Sequence, residues 1–175
     1  MNTLGWDDLV GFLQRAQIRR LLWQGIWDGD ARHRQFHTMT SPVFLDTDIG
    51  MLKIATIIND SFLSFELVKE PTWELFEEAG EMDNAGLIDL SYEYFGDRTT
   101  VQCHELHCAY YNQPEPPSDF GQVALASIAV DGGELLTFNP WNFSGLRVQA
   151  GIHVESALAK NDYLAHRTDV RIWTR

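Results

Sequence analysis

The chain has 175 residues, of which 45% are hydrophobic and 22% are charged, with six Trp, five Tyr and ten Phe. This composition is typical of one ordered domain with an aromatic-rich core, and it argues against intrinsic disorder. The net charge of −12 repels phosphate, which argues against nucleic acid as a partner.

The first ten residues, "MNTLGWDDLV", carry acids where a secretory signal carries bases, and no long apolar stretch follows them. The longest apolar runs, such as "VALASIAV" at 123–130, have the length of a strand and fall short of the ~20 residues that cross a bilayer. We therefore expect a cytoplasmic protein with no membrane segment.

The first predicted element is an amphipathic helix over 4–27. Asp7 and Asp8 fall in its first turn, where the helix dipole favours acids. The apolar residues that recur at helical spacing are Trp6, Leu9, Val10, Leu13 and Ala16. We expect this helix to pack with its apolar face against the rest of the protein.

From Gly50 onward the apolar residues recur at every second position, which is the period of a strand. Three hairpins are predicted, over 51–68, over 86–111 and over 122–138. The third is the clearest, because Gly132 and Gly133 supply the positive φ angles of a tight turn. Two further strands are predicted over 146–154 and 169–175, with a helical or loop segment near 155–165.

These elements predict an α+β fold that is mainly antiparallel β. About eight strands would form a curled sheet, a sandwich or an open barrel, with the N-terminal helix packed against it. Because no internal repeat or break in composition divides the chain, we expect a single domain over 1–175. Within it, the helix over 4–27 precedes a β-rich body over 50–175.

The stretch "CHELHC" at 103–108 gathers two cysteines, two histidines and a glutamate. If it is a strand, alternation places Cys103, Glu105 and His107 on one face, and His104 and Cys108 on the other. The two thiols would then lie on opposite faces and beyond disulfide reach, so we expect them to be reduced.

A zinc site is the metal hypothesis for this strand, with Cys103 and His107 as its first ligands. Zinc takes about four ligands, so other residues would have to complete the site. The candidates are His33, His37, His153 and His166. A reactive thiol is one alternative; the other is that these are ordinary strand residues and that the protein binds no cofactor.

The sequence carries no motif of an enzyme. The nearest match to the nucleophile motif G-x-S-x-G is "NFSGL" around Ser144, which lacks the first glycine. Gly132 and Gly133 belong to a hairpin without a following helix, so they do not form a phosphate loop. No catalytic residue is predicted, and a function other than catalysis is favoured.

The acidic excess lies in residues 70–146, which hold fourteen acids and one base, Arg98. Such a field speeds the approach of a basic protein. The predicted binding residues combine acids and aromatics, and they are Trp73, Glu74, Phe76, Glu77, Glu78, Glu81, Asp83, Trp141 and Phe143.

The favoured hypothesis is therefore a cytoplasmic binding protein that holds a basic protein partner on this acidic, aromatic surface. An immunity-type protein that neutralises a cationic toxin is one concrete instance, an analogy that depends on size and charge alone. The alternative is a metal- or small-molecule-binding β-barrel that uses the strand over 103–108.

Overall fold

The structure is a computed structural model, and it describes residues 3–28, 35–57, 62–73, 84–112, 122–140 and 146–175. Ten strands are present in this part of the chain: β1 Gln17–Asp28, β2 Gln35–Thr47, β3 Gly50–Ile57, β4 Phe62–Val68, β5 Ala85–Asp89, β6 Val101–Tyr111, β7 Val123–Val130, β8 Leu135–Asn139, β9 Arg147–Ala150 and β10 Thr168–Thr174. Four helices accompany them: α1 Trp6–Arg15, α2 Ser91–Phe95, α3 Val154–Leu158 and α4 Asp162–Ala165.

All strand pairings are antiparallel and belong to one sheet. Six strands pair in a closed ring, in the order β1, β2, β3, β4, β7, β6 and back to β1. Beyond the ring, β10 pairs with β6, β8 and β9 extend from β7, and β5 pairs with β1. The predicted α+β fold of mainly antiparallel strands is confirmed, with ten strands in place of about eight.

The main core joins the inner faces of these strands to helix α1. Leu9, Phe12 and Leu13 of α1 are buried in the same cluster as Phe65 of β4 and Phe138 of β8. Fully burying an apolar side chain of this size is worth ~1.5–3 kcal/mol. The predicted packing of an N-terminal helix against the sheet is therefore confirmed.

The predicted length of that helix is wrong, because α1 ends at Arg15 and residues 17–28 form strand β1. Both faces of β1 are covered, since Leu21 lies in the main core and Leu22 in a separate cluster with Phe44. Two register shifts in its pairing with β2 also break strict alternation. A strand that is apolar on both faces imitates the stripe of a helix.

The hairpin predicted over 86–111 is also wrong. Strand β5 pairs with β1, and the chain then turns into the short helix α2. The cause lies at the start of α2, where Asp89 accepts a hydrogen bond from the Ser91 backbone at 2.9 Å and Ser91 Oγ accepts one from the Leu21 backbone at 2.9 Å. Side chains of this kind divert the backbone from strand pairing.

The other two hairpins are confirmed. Strands β3 and β4 pair directly, as do β7 and β8. The turn between β7 and β8 uses Gly132 and Gly133 at φ of 87° and 79°, which is the left-handed region that glycine tolerates. No helix in the described part of the chain is long and apolar enough to cross a membrane.

Candidate metal centre

A bulge in β6 decides which side chains of this strand share a face. Cys103 pairs with Val130 and Glu105 with Ala129, so one residue of β6 is extra in the ladder at this point. The extra residue shifts the alternation, and Cys103 and Cys108 both lie in the main core. The prediction that the two thiols lie on opposite faces is therefore wrong.

Beyond the bulge, His107 lies on the outer face of β6, away from the main core. Its side chain is 11% exposed, and each ring nitrogen meets a carboxylate. Nδ1 lies 2.8 Å from Glu155 Oε1, and Nε2 lies 3.3 Å from Glu105 Oε2. Glu105 and His107 share a face as predicted, whereas Cys103 does not share it.

Helix α3 brings the second histidine to this place. Val154 and Leu158 of α3 are buried against Ala109 of β6 and Leu125 of β7, and they fix the helix on the outer face of the sheet. His153 immediately precedes the helix, and its ring centroid lies 5.9 Å from that of His107. Glu155 follows in the first turn of the helix.

His107, His153 and Glu155 each place one potential ligand atom within 4.8 Å of the others. Two imidazole nitrogens and one carboxylate oxygen form a donor set that zinc and related divalent transition metals accept. His107 is buried, while His153 and Glu155 are exposed. The cluster therefore combines one fixed donor with two that can adjust.

Charge around the cluster favours a cation. Partial burial acts to raise the pKa of Glu155, but hydrogen bonds from its own backbone and from His107 outweigh this, and the pKa lies below its ordinary value. Glu155 is therefore an ionised carboxylate at neutral pH. Glu105 adds a second carboxylate on the other side of the His107 ring.

A row of polar side chains continues from His107 across the outer face of the sheet. Strand register places Ser127 opposite His107, Thr137 opposite Ser127, and Gln149 opposite Thr137. Thr137 Oγ1 donates a hydrogen bond to the carbonyl of Ile152, just before α3. Ser127 Oγ is buried and has no hydrogen-bond partner among the described residues.

Ser127 and His107 do not form a catalytic pair. No hydrogen bond joins them in the described part of the chain, and the Ser127 side chain is 0% exposed. A nucleophile needs a base within about 3 Å and access to substrate. This arrangement supplies neither, although His107 does contact a carboxylate as the base of a triad would.

The thiols lie apart from the cluster, in surroundings that suppress reactivity. Burial raises the pKa of Cys103 to about 12 and also raises that of Cys108. The thiolate is the form that binds metal or attacks an electrophile. Of the two ligands predicted from the sequence, only His107 belongs to the cluster, and its partners come from residues 153–155.

Four further histidines were candidates to complete the metal site, and one of them belongs to the cluster. His153 is the one member of the four candidate histidines that joins the cluster within the described residues. His37 lies on β2 and His166 follows α4, while His33 lies outside the described residues. No sequence pattern singled out Glu155, because a His-x-Glu spacing acquires meaning only once α3 is placed on the sheet.

The predicted protein-binding residues fall almost entirely outside the part of the chain that the structure describes. Trp73 is half-buried at the end of a described segment. The others are outside it: Glu74, Phe76, Glu77, Glu78, Glu81, Asp83, Trp141 and Phe143.

Of the fourteen acids in residues 70–146, half are described. Three of those are already paired within the protein. Glu105 contacts His107, Asp131 contacts His104, and Glu134 contacts Arg98.

Comparison with known protein families, with curated proteins and with solved structures finds no match to this chain.

Proposed function

We propose that the protein binds a divalent transition-metal ion, with zinc as the reference case, at His107, His153 and Glu155. The observation that carries the proposal is the convergence of these three donors within 4.8 Å on a buried, doubly anchored histidine. This is the alternative function that the sequence suggested, with a different set of ligands.

The surroundings of His107 fit a metal ligand. A histidine that binds a metal through one ring nitrogen commonly donates a hydrogen bond from the other to a carboxylate, which fixes the ring. Here the Nδ1 side faces Glu155 and the Nε2 side faces Glu105. An ion at Nδ1 would replace a proton, keep Glu155 as a ligand and leave Glu105 to orient the ring.

Only small movements are needed to close the site. Bond lengths of ~2.0–2.2 Å to nitrogen and oxygen imply tetrahedral donors roughly 3.3 Å apart. The donors lie within 4.8 Å of one another, and the two that must move are on exposed side chains. Three protein ligands leave a further coordination position for water or another small ligand.

Titration calorimetry with zinc, and the visible spectrum of the cobalt(II) form, test this proposal. We expect one equivalent to bind, and both His107→Ala and Glu155→Ala to lose at least tenfold in affinity. His166→Ala is the matched control, because it removes a histidine outside the cluster. Binding should weaken as the pH falls, since protons compete for the histidines.

Less than a tenth of an equivalent bound, together with an unchanged unfolding temperature after chelation, would overturn the proposal. So would equal binding by the His107→Ala variant. A ligand that binds only the folded state raises stability by about 2.7 kcal/mol at one hundred times its Kd, so real binding shifts the melting temperature measurably.

A second proposal is that the acid-rich segment over 70–97 holds a basic protein. It is supported by the fourteen acids against one base in residues 70–146, and by the aromatics Trp73 and Phe76 among them. Aromatic side chains commonly anchor an interface, while charges accelerate association. In its specific form, the proposal is an immunity-type role in the cytoplasm, in which the acidic segment binds a cationic toxin.

A variant with Glu77, Glu78, Glu81 and Asp83 changed to their amides separates a docking surface from general solubility. Its binding to a lysine-rich peptide at low salt should fall at least tenfold relative to the wild-type protein. The control is a variant with Asp7, Asp8, Asp162 and Asp169 changed to Asn, in which the same number of acids, all of them exposed, is lost outside the segment. Equal loss in both variants would show that net charge alone attracts the peptide, and would reject the proposed surface.

A further inference from the structure

A cavity of about 270 Å³ lies between the outer face of β7–β9 and the helices α3 and α4. Leu125 of β7, Ile152 and Leu164 provide apolar side chains that line it. Leu125 and Leu164 are buried, so both belong to the packing that holds the helices on the sheet. Pockets for small molecules typically have such apolar walls with a few fixed polar groups.

The polar groups of the cavity are amides and one cation. Asn139 of β8 and Gln149 of β9 line one side, and Lys160 lines the helix side. Within the part of the chain that the structure describes, no carboxylate lines the cavity. Among the described residues that line the cavity, Lys160 is the charged one, and its ammonium group favours an anion over a cation.

A second cation, Arg147, lies near the cavity but is not among the residues that line it. Strand register places Arg147 opposite Asn139, so this cation starts from the same face of the sheet.

We propose that this cavity binds a small organic carboxylate, with the carboxylate against Lys160 and the amides of Asn139 and Gln149. The apolar part of the molecule would contact Leu125 and Ile152. The cavity volume limits the ligand to a small metabolite, since typical pockets for larger ligands occupy ~300–1,000 Å³. This site is separate from the proposed metal centre, because none of the three metal ligands lines the cavity.

Nuclear magnetic resonance of the side-chain amides provides the test. The probes are acetate, benzoate and succinate, each paired with its neutral amide, added up to about 10 mM, a range that detects millimolar Kd values. We expect at least one carboxylate, and not its amide, to shift the signals of Asn139 and Gln149.

Variants then locate the binding. Lys160→Gln keeps the length and polarity of the side chain but removes the charge, and we expect it to weaken binding about fivefold. Ala157→Leu places a larger side chain on the lining of the cavity and should abolish binding. Lys69→Gln, which changes an exposed cation outside the lining, should bind as the wild-type protein does.

The proposal is overturned if no carboxylate shifts the two amides, if the neutral amides bind equally well, or if Lys160→Gln leaves the affinity unchanged. The remaining backbone signals report whether each variant is folded. A chelator that carries no carboxylate, such as 1,10-phenanthroline, is included throughout and keeps the result independent of the metal centre, so either proposal can fail alone.

Discussion

Glu155 links the proposed metal centre to stability, because its carboxylate is held by His107. Its pKa is lower in the folded protein than its ordinary value of 4.5, so it contributes stability above that value. The contribution disappears as the pH falls through the lowered pKa. Glu155→Gln should therefore reduce the free energy of unfolding at neutral pH and have no effect at a pH below the lowered pKa, where the wild-type carboxyl is protonated.

The expected loss at neutral pH is below about 1 kcal/mol, because the side chain is about half exposed and water screens the pair. Urea unfolding at the two pH values, without metal, measures it. Asp162→Asn on α4 is the control for loss of a nearby charge. A difference between wild type and Glu155→Gln that persists at low pH would assign the effect to packing instead of charge.

The two cysteines should not react with thiol reagents in the folded protein. Burial raises the pKa of both thiols, and the core around them excludes reagents. A chromogenic disulfide reagent should therefore label neither thiol in buffer at neutral pH and both in denaturant. Rapid labelling of one thiol in the native protein would show that the core opens locally at β6.

The residues around His107 show which parts of the site can be predicted from the sequence. Alternation predicted that Glu105 and His107 share a face, and they do. It failed for Cys103 because a single extra residue in the ladder reverses the alternation, and nothing in the local sequence marks a bulge at this point. Glu155 reaches His107 across 48 residues of chain, a contact that only the packing of α3 creates.

The bulge determines which side chains of β6 face the core on either side of it, and deletion of a single residue tests this. Removing His104 would convert the bulge to regular pairing and leave Leu106, Cys108 and Tyr110 facing the core. Removing Ala109 instead would turn Tyr110 out of the core. We expect the deletion of His104 to fold, with modest destabilisation from the lost contact with Asp131, and the deletion of Ala109 to unfold the protein.

Circular dichroism during thermal unfolding separates the two deletions. A cooperative transition for the His104 deletion, with none for the Ala109 deletion, is the expected pair of results. If both deletions were equally disruptive, the bulge would be required for the strand to meet β1 and β7, and not a removable insertion.

Among the strands and helices, the hairpins closed by short turns were predictable and the distant pairings were not. Gly132 and Gly133 fix the β7–β8 turn locally. In contrast, β1 pairs with β2, β5 and β6, and its neighbours cover both of its faces. A strand buried in this way carries no period-two signal, so its residues were predicted as part of a helix.

Among the described residues, few pairings close the ring of six strands. Strand β4 meets β7 through Leu63 and Val123, and β1 meets β6 through two residue pairs. These contacts join segments far apart in the sequence, so they form at a high cost in loop entropy. The apolar side chains of these pairs, Ile18, Val101, Leu63 and Val123, lie in the main core, and burial there offsets this cost.

Charge acts on the protein as a whole through its imbalance of 25 acids against 13 bases. Salt weakens both the repulsion among the excess acids and the attraction within ion pairs. Exposed pairs such as Arg98–Glu134 contribute at most ~1 kcal/mol each, so the repulsion should dominate. We therefore expect stability to rise when sodium chloride is added to a low-salt buffer.

The midpoint of urea unfolding, followed from about 0.02 to 0.3 M sodium chloride, tests this expectation over the range in which the Debye length shortens most. The control is the same titration near pH 4.7, the isoelectric point of the sequence, where the net repulsion vanishes and the rise should vanish with it. A midpoint that falls with salt at neutral pH would mean that specific ion pairs outweigh the acidic excess. In that case ion pairs within the fold would contribute more to stability than the repulsion removes, while the net charge of −12 would remain to attract a basic partner.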